Sequence, residues 1–223
     1  MVDFLSIADA HGTEPYLTRE RQRVKIGADR SRPMQSLAKL LPTSRPLSSK
    51  SDAQLIARLR QSLSAADGAA GAHCIHELWM RGTLGLQIDA MLESLWQACG
   101  ASVPEWLPMR HVGWLSTAYE VAQRFQAKRR GRSNIYLILL DYSDRRSDSL
   151  GVYVGMSAYA PLQRFDQHKA GIRAAGSVLK RGIEPLIGPT LHLQRIARSE
   201  AKRIESSLAA ALGDAGIHVE GGH

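Results

Sequence analysis

Cysteine is scarce in this chain. Its 223 residues hold only Cys74 and Cys99, with no metal-type spacing and too few thiols for a disulfide scaffold. They read as buried thiols in a reducing compartment. Long apolar runs are missing too: none approaches the roughly 20 residues that a bilayer-spanning helix needs. The opening Met1-Val2-Asp3-Phe4-Leu5 lacks the basic-then-apolar order of a secretory leader. A cytoplasmic protein with no membrane segment is the expectation. Aromatic residues make up only 6% of the chain, and all 4 tryptophans (Trp79, Trp96, Trp106 and Trp114) fall in its first part. They read as core of that part rather than as a base-stacking platform. Acidic residues are the minority among charges, 21 against 29 Lys plus Arg, giving a net charge of +8. That balance favours an anionic partner, nucleic acid above all. A 44% hydrophobic content argues against general disorder.

Hydrophobic periodicity divides what is present. Residues 1–50 combine Arg19, Arg21, Arg23, Arg30 and Arg32 with Pro33, Pro42, Pro46 and a serine-rich end. They read as a flexible basic arm, either a solvated tail or a contact for DNA phosphates. Residues 51–130 read as a helical domain. Ser51 would cap a helix to about Leu63, and Asp67–Gly71 would break it. A short helix near His73–Met80 follows, then one from about Leu84 to Cys99 with Leu84, Ile88, Met91, Leu92 and Leu95 on one face. A last helix is expected over Val112–Lys128. His73, Cys74, His76 and Glu77 lack a completing ligand pair, so they read as helix surface or local core. Lys128-Arg129-Arg130-Gly131-Arg132 marks a boundary, as a solvated linker or a phosphate-facing collar.

Beyond it the period becomes extended. Ile135–Leu140 and Leu150–Val154 read as a hairpin across the polar Asp141–Ser149, and Thr190–Ile196 as a third strand. A helix begins at Pro161, since proline suits a first turn. Residues 171–189 look long, basic and irregular. Ser199 is expected to cap the last helix, whose core face is Ile204, Leu208, Ala211 and Leu212, and Gly213 to end it. The fold class expected is α+β: a short, mainly antiparallel three-stranded sheet flanked by helices, preceded by a mostly helical region.

The chemistry concentrates in this second part. Tyr136 sits in Asn134-Ile135-Tyr136 and Tyr153 in Tyr153-Val154-Gly155, on neighbouring extended runs. Arg164 and His168 follow, four apart and so on one face of a helix. Tyrosine and histidine can move protons, and arginine carries a permanent charge in a fork that matches phosphate oxygens. These segments resemble the GIY-YIG nuclease superfamily over about residues 132–223. Asn134-Ile135-Tyr136 matches its first motif and Tyr153-Val154-Gly155 its second. Arg164 and His168 match its arginine and histidine. Its metal-binding glutamate lies on a later helix, where Glu205 fits best. Glu200 is the rival, but a first-turn glutamate is commonly a partner of the helix dipole. The chain departs from the pattern at Asn134, which replaces a glycine, in a longer hairpin loop, and in lacking the asparagine that many members carry near Val219–His223.

The resemblance implies a divalent-metal-dependent DNA endonuclease. Tyr136, Tyr153, Arg164, His168 and Glu205 would be catalytic, and Glu205 would be the ligand of Mg²⁺ or Mn²⁺. Tyr136 would serve as base with His168 relaying the proton, though the tyrosines could exchange roles. Arg164 would neutralise the scissile phosphate, and Gly155 would permit close backbone approach. Arg129, Arg130, Arg132, Lys169 and Arg173 are candidate phosphate contacts, and Lys169 a rival helper for the tyrosine. Restriction-type, mobile-element and repair roles all suit such a module. The alternatives are a non-catalytic nucleic-acid-binding module, or a nuclease that a protein partner recruits through the helical part. A symmetric double-strand cut would call for a homodimer or sequential nicking.

Overall fold

Ser51 starts the first helix as the sequence implies. Its hydroxyl accepts from the Gln54 N–H while Gln54 reaches back to the Ser51 N–H, a reciprocal cap. In this computed structural model, which describes residues 45–144 and 150–222, α1 runs Asp52–Ser64. The arm expected at 1–50 therefore lies outside the described residues up to Ser44, as do part of the hairpin loop and His223. α2 spans Gly68–Met80, longer than the His73–Met80 expected, and Asp67 caps it through the Ala70 N–H. Gly68 opens the helix because a Cβ there would stand 2.5 Å from the backbone at Ser102–Val103. The glycines that suggest a break are packing glycines. α3 is Gly85–Cys99.

α4 is Leu115–Gln123, shorter at both ends than the Val112–Lys128 expected. Val112 is nonetheless fully buried in the loop before it. Leu55, Ile75, Ile88, Leu92 and Leu95 form the centre of this helical part, with Trp79 and Trp106 buried beside them. His73 and His76 pack against the Trp106 ring. Glu77 is buried on α2, where Arg45 and Arg81 both grip its carboxylate. Burial pulls its pKa up, but the two guanidiniums outweigh that and hold it below the usual carboxylate range.

β1 (Asn134–Asp141) and β2 (Leu150–Ser157) form the expected antiparallel hairpin. α5 follows as Pro161–Lys169 and α6 as Gly176–Arg181. The third strand is not Thr190–Ile196. β3 is Gly182–Leu186, and Gly188–Leu193 coils into a 3₁₀ helix. There Thr190 and Leu193 are buried, and His192 bonds the carbonyls of Ala122 and Phe125 at the end of α4. β3 lies at the sheet edge, which is why it tolerates Pro185. α7 is Arg198–Asp214, and Ala197, not Ser199, stands at its N-cap.

The chain then adds β4 (Val219–Gly221), parallel to β2. The sheet has four strands in the order β3-β1-β2-β4 and is mixed, not three-stranded and antiparallel. The α+β class holds. β1 is covered on both faces, which explains its unbroken aliphatic run. Ile135, Leu137 and Leu139 join a buried cluster that runs without a gap from α7 to helices α1–α4. Tyr136, Ile138 and Leu140 face the other way, against Phe165 and Val178.

Candidate active site

Strand register builds the first half of the site. Tyr136 pairs with Gly155, and Ile138 with Tyr153, so both tyrosines project from one sheet face about a single glycine. A Cβ at Gly155 would lie 2.6 Å from the Tyr136 Oη and 2.7 Å from the Tyr153 ring. The ring centroids stand 6.2 Å apart. Gly155 thus gives space to the tyrosine side chains; the close approach anticipated from sequence was of backbone.

α5 supplies the next two groups. Phe165 docks the helix on the sheet, and His168, one turn from Arg164, is buried against both tyrosine rings. The Ala175 backbone N–H donates to His168 Nδ1 at 3.0 Å. A nitrogen that accepts carries no proton, so in the neutral ring the hydrogen resides on Nε2. Nε2 lies 3.1 Å from Tyr136 Oη and therefore donates to it. Burial, aided by the Arg164 charge, lowers the His168 pKa to about 4, which keeps the ring neutral.

Arg164 is itself held. Its guanidinium donates to Gln167 Oε1 at 3.2 Å, to the Ile172 carbonyl at 3.1 Å and to the Arg173 carbonyl at 2.7 Å. Burial pushes the Tyr136 phenol far above its usual pKa, and Tyr153 adds to the rise, while Arg164 opposes it. Tyr153 is raised mainly by burial and secondly by the Glu205 charge, with Tyr136 and Arg164 opposing. Both phenols are electrostatically coupled to Arg164 and Glu205, and Tyr153 to Glu220 as well.

Glu205 enters from α7. It is buried, and its Oε1 accepts from the Met156 N–H at 2.9 Å, at the end of β2. This contact ties the carboxylate to the strand that bears Tyr153. An open cleft of about 690 Å³ lies here, lined by Met156, Tyr159, Arg164, Arg173, Lys202 and Glu205 among others. Glu200 does not line it. Arg198 and Lys202 stand seven and three positions before Glu205 on the same helix face, and both line the cleft. Sequence reasoning missed them, although that spacing was the available signal.

The other expected phosphate contacts separate. Arg173 is on the cleft wall. The Lys169 ammonium instead bonds the carbonyls of Leu179 and Gly182, against α6 and β3. Arg129 donates to the Leu191 carbonyl, and Arg130 and Arg132 are exposed; none of the three lines the cleft. Asn134 has a structural use. Its amide donates to the Tyr159 carbonyl and its Oδ1 accepts from the Arg195 N–H, joining β1 to the segments that flank the cleft. β4 adds an acid the sequence reading left out: Glu220 lies beside Tyr153 in register and accepts from the Tyr142 hydroxyl.

No protein-family model, curated protein or solved structure matches this chain. The donor set itself can be weighed against a metal. Among the described residues, no group of three or more His, Cys, Asp or Glu could cage an ion. Glu205 is the one acid on the cleft wall among the described residues. A lone carboxylate in an open cleft fits Mg²⁺ or Mn²⁺, which retain much of their hydration, better than Zn²⁺.

Proposed function

We propose that this chain is a divalent-metal-dependent endonuclease that hydrolyses phosphodiester bonds in DNA, of the GIY-YIG kind its sequence resembles. The observation that carries the reading is convergence. Tyr136, Tyr153 and His168, drawn from two strands and a helix, pack together, and both tyrosines couple electrostatically to Arg164 and Glu205, which line the cleft. The cleft wall adds Arg173, Arg198 and Lys202, a basic lining for a phosphate backbone.

Arg164 neutralises charge on the scissile phosphate, its planar fork already oriented by three contacts. Tyr136 takes the proton of the attacking water, and to do so it must act as phenolate. Its own hydroxyl proton must first pass to water. The His168 Nε2–H donates to the Tyr136 oxygen, so His168 stabilises the phenolate rather than relaying the proton onward. Tyr153, beside Glu205 in charge contact, orients the water. Glu205 would hold Mg²⁺ or Mn²⁺, which when bound supplies Lewis-acid stabilisation of the phosphate and the departing oxygen.

Recruitment by a protein partner has a narrower footing. Leu84 and Leu86 at the start of α3 are 70% and 87% exposed, but Ile88, Met91, Leu92 and Leu95 of the same helix are buried. That leaves a two-residue patch, not a stripe.

Plasmid nicking and linearisation with Mg²⁺ or Mn²⁺, beside Glu205→Ala and an EDTA control, tests the nuclease. Discrete products that need metal and vanish in the variant are expected. Undiminished cutting by Glu205→Ala removes it as metal ligand, and absence of cutting by the wild type with either metal removes the nuclease reading.

A further inference from the structure

Two apolar side chains stand on the lips of this basic cleft. Tyr159 is 50% exposed and Ile172 is 55% exposed, and both line it. Neither is on a loose segment. The Tyr159 N–H donates to Ser157 Oγ at 3.0 Å, and its carbonyl accepts from the Asn134 amide at 3.0 Å. Ile172 donates its N–H to the Gln167 carbonyl at 2.9 Å, and its own carbonyl holds Arg164. Each backbone is therefore anchored to a residue of the site while the side chain faces water.

Phosphate contact alone has no use for an aromatic face and a branched aliphatic group in these places. The surrounding wall has Arg164, Arg173, Arg198 and Lys202, which suit the sugar–phosphate strand. An exposed aromatic ring beside such cations suits a base, since every base offers a π-face and stacking tolerates any sequence. In a continuous duplex those faces are already covered by their neighbours. A base can lie on Tyr159 only if it has left the stack, and an aliphatic wedge such as Ile172 is the kind of group that keeps a step open.

We propose that Tyr159 and Ile172 form a base-binding rim, so that the preferred substrate is DNA with an unpaired nucleotide beside the scissile phosphate. The proposal rests on the nuclease reading and names the substrate class of that site. Tyr159 is the platform and Ile172 the wedge.

The test is binding of the full chain in EDTA, where no cutting intervenes, to fully paired duplexes and to duplexes with a single 2-aminopurine bulge. Wild type should bind the bulged duplex about tenfold more tightly, with quenching of the 2-aminopurine as it stacks. Tyr159→Ala should lose the quenching and most of the tenfold preference, its affinity falling by a larger factor for the bulged duplex than for the paired one; Tyr159→Phe should keep both the preference and the quenching. Ile172→Ala should weaken bulged binding by a smaller factor. Equal affinity of the wild type for the two duplexes, or Tyr159→Ala losing equally on both, overturns the rim. If the protein still cuts plasmid in a Glu205-dependent manner, the nuclease reading survives that result. If it binds neither duplex and cuts nothing, both readings fall.

Discussion

Unfolding the protein in urea at about pH 7.5 and again at about pH 4, for the wild type and for His168→Gln, reads the energy held in the histidine geometry. The Ala175 N–H occupies Nδ1, and Nε2 already carries its hydrogen, so a second proton has no place without breaking that bond. In the folded chain the group titrates near 4 instead of 6.5. The sign follows directly: between those values the unfolded chain takes up a proton that the folded ring refuses, so stability falls with pH. The loss starts as pH drops through 6.5 and is complete near 4. That gap corresponds to at most about 3–4 kcal/mol, and relaxation of the surroundings on protonation reduces it to about 1–3 kcal/mol. Buried His73 and His192, whose pKa values are also lowered, act alike in both proteins and cancel in the comparison. The wild type should thus lose about 1–3 kcal/mol more than His168→Gln on acidification. Nitrogen chemical shifts of the imidazole should show the Nε2–H tautomer at neutral pH. Equal acid losses in the two proteins, or an Nδ1–H tautomer, would falsify the argument for a donor histidine.

Two further outcomes are expected. Gly155→Ala places a methyl group 2.6 Å from the Tyr136 hydroxyl, so the tyrosines must part; cleavage should fall at least tenfold with a stability cost of about 1–3 kcal/mol, and plasmid nicking beside thermal unfolding checks both. Because burial raises the Tyr136 pKa, the rate at saturating metal should climb as pH rises through the alkaline range. A profile flat above neutrality would take Tyr136 out of the base role.

Much of this arrangement could be read in the sequence where local chemistry agrees with tertiary demand. Ser51 announces α1, the apolar rows announce α3, and the hairpin motifs bring Tyr136 and Tyr153 together. Failures have identifiable causes. Gly182 and Pro185 disguise β3 because an edge strand spares a proline its missing donor. β4 is only three residues long and derives its order from β2. Gly68 looks like a breaker because its neighbour Ser102 is 34 positions away in sequence. The His168 tautomer depends on a backbone N–H beyond the end of its own helix, which side-chain pattern cannot reveal. Lys169, adjacent to His168 in sequence, points elsewhere because successive helical residues diverge in direction.

The turn between α5 and α6 carries an implication for anyone wishing to re-engineer the protein. Its carbonyls at Ile172 and Arg173 hold the Arg164 guanidinium, and its Ala175 N–H sets the His168 ring. Surface turns are ordinarily the convenient places to graft, lengthen or tag. This one is a jig for two instruments at once, and adding a single residue would misalign both without altering either side chain. Variation aimed at new targets belongs instead on the exposed face of α7 around Arg198 and Lys202, where side chains can change while the backbone that sets the arginine and histidine stays as it is.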